Sequence, residues 1–256
     1  MSINEKPLIS IIIPNFNYGK WINTAITSVV EDFYIKKHIV VVDDGSTDGS
    51  AKKVFDLLKN PKEEKISNIP AIVGNYKNSN IKISLIVCNE NRGPSAARNI
   101  GIKYAFDKSD AFSFLDADDM HVHNKLEITS GKLIYGWGNI GAVYCDYINL
   151  DVAENIKYPQ YKEAFCSEKI LQDCIMPSNS LVPKYVFNKI GFFDETMRVA
   201  EDWDFWIRMS KFYIGYHVPQ FLSIVRTGKY NSTHTVNPSI WVENWNKIRE
   251  KIKYDK

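Results

Sequence analysis

Apolar residues in the first 120 positions form short unbroken runs that alternate with segments of helical spacing. The β-branched run LISIII at 8–13 predicts a strand buried on both faces, and Pro14 ends it. Further strands are predicted at 38–44, 81–88 and 111–116, and amphipathic helical patterns follow the first three strands. This order predicts an α/β fold, a Rossmann-like, mostly parallel sheet with helices on both faces.

The regular alternation fades after residue 120. Residues 125–136 predict a helix, 142–150 a strand, and 165–200 short helices mixed with turns. The Asn-, Lys- and Pro-rich stretch 59–82 predicts a surface insertion with one irregular strand, or else a flexible loop. Because no linker separates the halves, we expect a single domain over 1–235. Its mixed second half, 121–235, contributes part of a cleft, and an amphipathic helix follows at 236–256.

Composition narrows the function only slightly. The chain of 256 residues has 32 basic and 30 acidic residues, so no overall field favours nucleic acid as a partner. The four cysteines, at 88, 145, 166 and 174, have no CxxC spacing, which argues against a zinc site or a disulfide framework. The N-terminus lacks a long apolar run, and we therefore expect a cytoplasmic chain.

Three carboxylates crowd the end of the fourth predicted strand. Asp116, Asp118 and Asp119 lie within the stretch FSFLDADDM at 112–120. Like charges this close repel one another, and partial burial adds a desolvation cost. Either a divalent cation or Lys and Arg side chains of the fold must offset this charge.

Four loops follow the four predicted strands: PNFNYG, DDGSTDGS, NRGPSAARN and DADDM. In a parallel sheet such loops meet at one edge. Together they supply an aromatic ring, carboxylates, glycine turns and an arginine, a combination that suits a nucleotide with phosphates and a metal.

Five stretches carry a family resemblance: PNFNYGKWINTAITSV, IVVVDDGSTDGS, NRGPSAARNIGI, FSFLDADDM and EDWDFWIRM. In this order they resemble bacterial family-2 inverting glycosyltransferases of GT-A fold, over about residues 7–230. The resemblance implies that residues 1–120 bind a nucleotide-diphosphate sugar, by default a UDP-sugar, and that 121–235 form the acceptor side. It implies Mg²⁺ or Mn²⁺ as cofactor and a hydroxyl of a glycan or lipid-linked glycan as acceptor.

The resemblance assigns the first two loops to the base. It places Pro14, Asn15, Phe16 and Asn17 beside the base, with Phe16 stacking on it; a turn with Phe16 in the core is the alternative. Asp44 would accept a ring N–H of the base, and Asp43 would bond the backbone of the following turn. Alternatively, both aspartates only cap the next helix.

The third and fourth loops would face the phosphates. Gly93 opens a helix whose N–H groups suit phosphate. Arg98 would face the donor or pair with an aspartate of the acidic cluster. The resemblance implies that the DxD segment, which comprises Asp116, Ala117 and Asp118, contacts the nucleotide-sugar. It also implies that Asp116 and Asp118 bind the metal. Asp119 could bind the metal, cap the next helix or face the sugar.

Asp202, in the pair at the start of EDWDFWIRM, would be the general base that deprotonates the acceptor hydroxyl. Glu201 is the competing candidate, and two acids that cap a helix are the alternative. From the C-terminal loop, His234 and Arg226 are candidates to contact the diphosphate or the metal.

Helical spacing in the C-terminal segment places several apolar side chains on one face, with Lys and Arg among the others. The apolar face comprises Ile240, Trp241, Trp245, Ile248 and Ile252. Such a helix could pack on its own domain or lie on an anionic bilayer surface at the inner face of the cell membrane.

Two other functions are compatible with these motifs. One is a nucleotide-sugar or glycan-binding module without turnover. The other is a sugar nucleotidyltransferase, although that class favours a Gly-rich basic loop after the first strand. Here PNFNYGK offers one glycine and one lysine.

Overall fold

The computed structural model describes residues 6–32, 35–77, 79–229 and 231–254. Most of the N-terminal segment that bears on localisation, residues 1–5, lies outside this range. The strands are β1 (Leu8–Asn15), β2 (Lys36–Asp43), β3 (Leu58–Ile66), β4 (Ile69–Tyr76), β5 (Lys82–Val87), β6 (Ala111–Phe114), β7 (Met120–His121), β8 (Ile140–Asp151), β9 (Ile156–Gln160), β10 (Leu181–Pro183) and β11 (Ile214–Thr227). The helices are α1 (Ile22–Val30), α2 (Ser50–Phe55), α3 (Pro94–Ala105), α4 (Lys125–Tyr135), α5 (Ser167–Ile170), α6 (Lys184–Ile190), α7 (Glu201–Ser210), α8 (Ser232–Thr235) and α9 (Pro238–Tyr254).

The described strands form one sheet in the order β3-β4-β5-β2-β1-β6-β10-β8-β11-β7, and β9 pairs with β8. The four predicted strands, β1, β2, β5 and β6, are adjacent and parallel. Their carboxyl ends therefore share one edge, as the sequence predicts. Outside this centre the sheet is mixed, because β4, β10, β7 and β9 pair antiparallel with their neighbours.

Helices cover both faces of the sheet, which explains why the central strands lack polar alternation. On one face Ile11 and Val41 pack with residues of α1 and α4. On the other face Ile12 and Val40 pack with residues of α3, α6 and α7. Successive strand residues thus enter two separate cores, and both cores need apolar side chains.

The insertion at 59–82 is neither a loop nor a single irregular strand. It is the antiparallel hairpin β3–β4, which joins the sheet beside β5. Ser67 and Asn68 both have positive φ, as a tight two-residue hairpin turn requires. The strand pattern is weak in sequence because β3 is an exposed edge strand rich in lysine, a composition that protects sheet edges.

The region 165–200 also contains more strand than the sequence predicts. β10 inserts between β6 and β8 and runs antiparallel to both. With only three residues, including a proline, it shows no measurable periodicity. Its insertion carries the second half of the chain onto the same sheet as the first half.

The C-terminal helix α9 packs on its own chain through one side. Ile248 is 1% exposed and forms a cluster with Met197 and Ile207, the latter on α7. The Asn244 amide also donates to the Val199 carbonyl at 2.8 Å. Among the described helices, none has the length and apolar character needed to cross a bilayer.

Candidate active site

A cavity of about 680 Å³ opens at the carboxyl edge of the parallel strands. Most of the residues that the sequence singles out line it, although they come from five separate segments. They are Pro14, Asn15, Phe16, Asn17, Asp44, Gly93, Arg98, Asp116, Ala117, Asp118, Glu201 and Asp202. The fold therefore brings these candidates around a single space.

The first two loops are held together below the cavity. The buried Asn15 amide donates to Asp43 at 2.6 Å and to Ser50 at 2.8 Å. Asp43 also accepts the Ser46 backbone N–H at 2.9 Å, so its predicted structural role is confirmed. The Phe16 ring remains 42% exposed at the cavity, which excludes the alternative of a core residue.

Asp44 binds the loop that precedes α3. Its carboxylate accepts the N–H groups of Arg92 at 3.1 Å and Gly93 at 2.8 Å. Burial raises the pKa of Asp44, while these N–H groups act in the opposite direction. The Gly93 N–H, which the sequence assigns to phosphate, is thus already used by Asp44. Each carboxylate oxygen can still accept a further bond from a ligand.

Arg98 joins the acidic cluster to the start of α7. Its guanidinium donates to Asp116 at 2.8 Å and also to Glu201. Burial disfavours its charge, but Asp116 and Glu201 raise the pKa of Arg98. The predicted pairing with an aspartate is therefore confirmed. Arg98 offsets the charge of Asp116, which is 36% exposed at its side chain.

Asp118 is not bonded to this arginine, which donates to Asp116 and Glu201 instead. Its carboxylate is 5% exposed and accepts the Asn231 amide at 2.9 Å. Burial and the neighbouring Asp116 raise the pKa of Asp118 to about 7. Two hard oxygen donors with excess negative charge fit a divalent cation. Within the described residues no group of three metal-binding side chains is found, so a ligand would have to complete the coordination.

Asp119 has none of its three predicted roles. It is buried, and it accepts the backbone N–H of Arg226 at 2.9 Å. The Arg226 side chain in turn donates to the Asp118 carbonyl and lies 4.5 Å from the ring centroid of Trp21. Arg226 is not among the residues that line the cavity. This pair therefore supports the DxD segment from behind, which corrects the prediction that Arg226 contacts the diphosphate or metal.

Asp202 lies across the cavity, in the first turn of α7. Its carboxylate accepts the backbone N–H of Trp203 at 2.8 Å. Burial and the adjacent Glu201 raise the pKa of Asp202 to about 7, against the opposing effect of Arg98. Glu201 is 7% exposed and is paired with Arg98. Of the two acids, Asp202 is therefore the one without a cationic partner in the described structure.

His234 is not placed where the sequence suggests. It belongs to the short helix α8, its side chain is exposed, and it does not line the cavity. Asn231, three residues earlier, provides the contact with Asp118 instead. The histidine was a candidate because the resemblance implies a histidine or arginine of this loop at the diphosphate or the metal.

Several further residues of the cavity lining are not site candidates in the sequence, among them Asn91, Arg198 and Trp241. Arg198 stands four residues before Asp202, and its charge close to that acid is the signal that could have indicated it. Trp241 is assigned by helical spacing to the apolar face of α9. The start of α9 reaches the cavity because of how the helix packs on the domain, and helical spacing does not determine that packing.

The sequence matches a known family over most of the central chain. The family model for glycosyl transferase family 2 matches residues 10–191. An uncharacterized glycosyltransferase of Rickettsia typhi is 30% identical over 223 residues, which are 83% of this chain and 62% of that protein. The Escherichia coli protein WfgD, named as a UDP-Glc:alpha-D-GlcNAc-diphosphoundecaprenol beta-1,3-glucosyltransferase, is 30% identical over 140 residues, 55% of this chain and 46% of its own.

Solved structures share the fold at lower identity. Staphylococcus aureus TarS 1–349 in complex with UDP-GlcNAc aligns with a TM-score of 0.68 at 17% identity, covering 90% of this chain and 61% of TarS 1–349. The mannosyltransferase PcManGT from Pyrobaculum calidifontis, in complex with GDP-Man and Mn²⁺, gives 0.62 at 17% identity, covering 89% and 59%. The chain thus spans less than two thirds of the lengths of these proteins. From the family match and the shared architecture, the chain belongs to glycosyl transferase family 2 and has the GT-A fold.

Proposed function

We propose that the protein is a metal-dependent inverting glycosyltransferase. It moves a hexosyl or hexosaminyl group from a nucleotide-diphosphate sugar, a UDP-sugar by default, to a hydroxyl group. The observation that carries this proposal is that Asp44, Asp118 and Asp202 line one cavity although they belong to three separate segments of the chain. A base contact, a metal site and a general base are the three parts that such a transfer needs.

The donor assignment draws support from the relatives. WfgD carries UDP-Glc in its name, TarS 1–349 is described with UDP-GlcNAc, and PcManGT with GDP-Man and Mn²⁺. In this chain Phe16 offers an exposed ring and Asp44 an acceptor in the lining of the same cavity. These two groups match the stacking face and the ring N–H of a base.

Asp116 and Asp118 would hold Mg²⁺ or Mn²⁺. When bound, the ion supplies positive charge that stabilises the departing nucleoside diphosphate. The chain contributes to the same end by orienting the two carboxylates. Arg98 holds Asp116, and the Asn231 amide holds Asp118.

Asp202 would take the proton from the acceptor hydroxyl as that oxygen attacks the anomeric carbon. One displacement from the side opposite the leaving group inverts the configuration. A pKa near 7 suits this role, since the base is then ionised in part of the population and still basic enough to accept a proton. Arg98 and Glu201 position the helix start that carries Asp202.

The acceptor we propose is a glycan or a lipid-linked glycan in polysaccharide biosynthesis. WfgD is named for a diphosphoundecaprenol-linked acceptor. On α9 the exposed Val242 and Trp245 lie beside Trp241, which lines the cavity. This exposed strip would permit peripheral contact with the inner face of the membrane, where such a lipid is anchored.

The test is release of nucleoside diphosphate from a panel of UDP- and GDP-sugars with Mn²⁺, with and without extracted glycolipid acceptors. Asp202→Asn should lower turnover by about 10²-fold or more and leave nucleotide binding nearly unchanged. Asp56→Asn, an exposed aspartate paired with Lys52, is the control and should retain the parent rate.

Two outcomes contradict the proposal. Donor binding without release from any sugar nucleotide and any acceptor fraction would favour a binding module. Formation of a nucleotide-sugar from a nucleoside triphosphate and a sugar 1-phosphate would indicate a nucleotidyltransferase.

A further inference from the structure

The charges around the cavity are unequal. Five acids line it, at positions 44, 116, 118, 201 and 202, but the lining residues include only two arginines, Arg98 and Arg198. Arg98 is 4% exposed and already donates to Asp116 and Glu201. The remaining cation that faces the cavity is Arg198.

Arg198 has donors available for a ligand. Its side chain is exposed, and the hydrogen bond described for it goes to the neutral Asn91 side chain at 3.1 Å. In the described part of the chain no carboxylate forms an ion pair with it. A guanidinium has five N–H donors, so one bond to Asn91 leaves most of them unused.

The backbone on both sides of Arg198 is held in place by neighbouring residues. The flanking residues Met197 and Val199 are 1% and 3% exposed. The Ser95 hydroxyl donates to the Met197 carbonyl at 3.0 Å, and the Asn244 amide donates to the Val199 carbonyl at 2.8 Å. Because the backbone on both sides is already anchored, little backbone conformational entropy is lost when the Arg198 side chain binds a ligand.

Arg198 and Asp44 are linked in space through Gly93. Its Cδ and Nη1 atoms lie 3.4 Å from the point where a Cβ on Gly93 would be, and the Gly93 N–H bonds Asp44 at 2.8 Å. Gly93 has φ +95, so a side chain there would be strained as well as close to Arg198. The guanidinium and the Asp44 carboxylate therefore flank the same glycine. The positive neighbour that acts on Asp118 is Arg226.

We infer that Arg198 and Asp44 form a donor–acceptor pair that selects the base of the donor nucleotide. This inference rests on the proposed use of a nucleotide-sugar. A carboxylate accepts a ring N–H, and an adjacent guanidinium donates to a ring carbonyl. Uracil, thymine and guanine present a ring N–H beside a carbonyl. Cytosine and adenine present an unprotonated ring nitrogen at that place, which would face Asp44 acceptor to acceptor.

The experiment measures the affinity of UDP, GDP, CDP, ADP and inorganic pyrophosphate by calorimetry in the presence of Mn²⁺. The parent should bind UDP or GDP more tightly than CDP and ADP. Arg198→Met keeps the aliphatic packing over Gly93 and removes the donors. It should weaken the preferred nucleotide by about tenfold and change the affinities of CDP, ADP and pyrophosphate by less than about twofold.

Arg249→Met is the matched control. Arg249 is an exposed arginine of α9 that does not line the cavity. Its removal should leave all five affinities unchanged.

Two results would overturn the inference for Arg198. Equal weakening of every nucleotide and of pyrophosphate would assign Arg198 to the phosphates. Unchanged binding of the preferred nucleotide would show that Arg198 does not contact the donor. A parent protein that binds none of the nucleoside diphosphates would instead contradict the proposed function itself.

Discussion

At the residue scale, the three crowded carboxylates Asp116, Asp118 and Asp119 have different hydrogen-bond partners. Asp116 is paired with Arg98, and Asp119 accepts a backbone N–H from β11. Asp118 has an amide donor but no side-chain cation bonded to its carboxylate in the described structure. The fold therefore offsets most of the acidic charge itself and leaves one carboxylate whose charge a metal ion would balance.

Replacement of Asp118 by alanine should abolish the part of nucleotide affinity that depends on Mn²⁺. The remaining pair of Asp116 and phosphate oxygens would hold the ion weakly. Calorimetric titration of UDP or GDP with and without Mn²⁺ measures the difference. Asp56→Ala, at an exposed helix position, should behave as the parent. An unchanged Mn²⁺ effect in Asp118→Ala would exclude this residue as a ligand.

At the element scale, α3 packs closely against the central strands β1 and β2. A Cβ on Gly101 of α3 would lie 2.8 Å from Ile12 Cγ2 and 3.1 Å from Val42 Cγ2. A Cβ on Gly131 of α4 would meet no atom within 4 Å. Packing therefore requires glycine at position 101 but not at position 131.

Alanine at these two positions should shift stability in opposite directions. Gly101→Ala should lower the free energy of unfolding by roughly 1–3 kcal/mol, because the added methyl group overpacks the core. Gly131→Ala should raise it by about 0.5–1 kcal/mol, because alanine favours the helix. Urea denaturation followed by circular dichroism measures both changes. A stabilised Gly101→Ala variant would show that the helix can move away from the sheet without cost.

The helix α9 gives a second contrast within one element. Ile248→Ala removes a side chain that is 1% exposed and should cost roughly 2–5 kcal/mol of unfolding free energy. Val242→Ala changes a side chain that is 53% exposed and should stay within about 0.5 kcal/mol of the parent. Equal melting temperatures for both variants would mean that α9 does not dock on its own domain in solution.

At the scale of the whole molecule, a buried histidine couples stability to pH. His38 on β2 bonds Ser84 on β5 at 2.8 Å. Burial and then the nearby Lys82 lower its pKa to about 3, below the ordinary value of 6.5. Between pH 6.5 and 3 the unfolded chain therefore binds a proton at His38, whereas the folded chain does not. The free energy of unfolding is not reduced by this difference above pH 6.5, and it decreases as the pH falls from 6.5 towards 3.

His38→Gln should remove this dependence. The unfolding free energy of the parent minus that of the variant should be constant above pH 7 and should decrease by up to about 1.4 kcal/mol for each pH unit below 6.5. His123→Gln, at an exposed position, provides the matched control for a histidine-to-glutamine change outside the core. A parent-minus-variant difference that does not change with pH would contradict the assignment of the linkage to His38.

Much of the structure of residues 1–120 was predictable because the sequence patterns that indicate its strands and helices are local. An apolar run buried on both faces needs only its own residues to be recognised, and parallel strands necessarily bring their following loops to one edge. The hairpin β3–β4 and the short strand β10 were not recognisable in the same way. Their strand conformation depends on pairing with β5 and with β6 and β8, which are distant in sequence.

Local sequence patterns are sufficient to predict the central strands β1, β2, β5 and β6, the order of the motif loops and the acids that could carry chemistry. Tertiary packing sets which of those acids have a cationic partner. Arg98, Arg226 and Asn231 reach the acidic cluster from other segments. It also brought Arg198 next to Asp44 and removed His234 from the cavity lining. The physical reason is that charge compensation depends on distances in space, and those distances follow from how the two halves pack on one sheet.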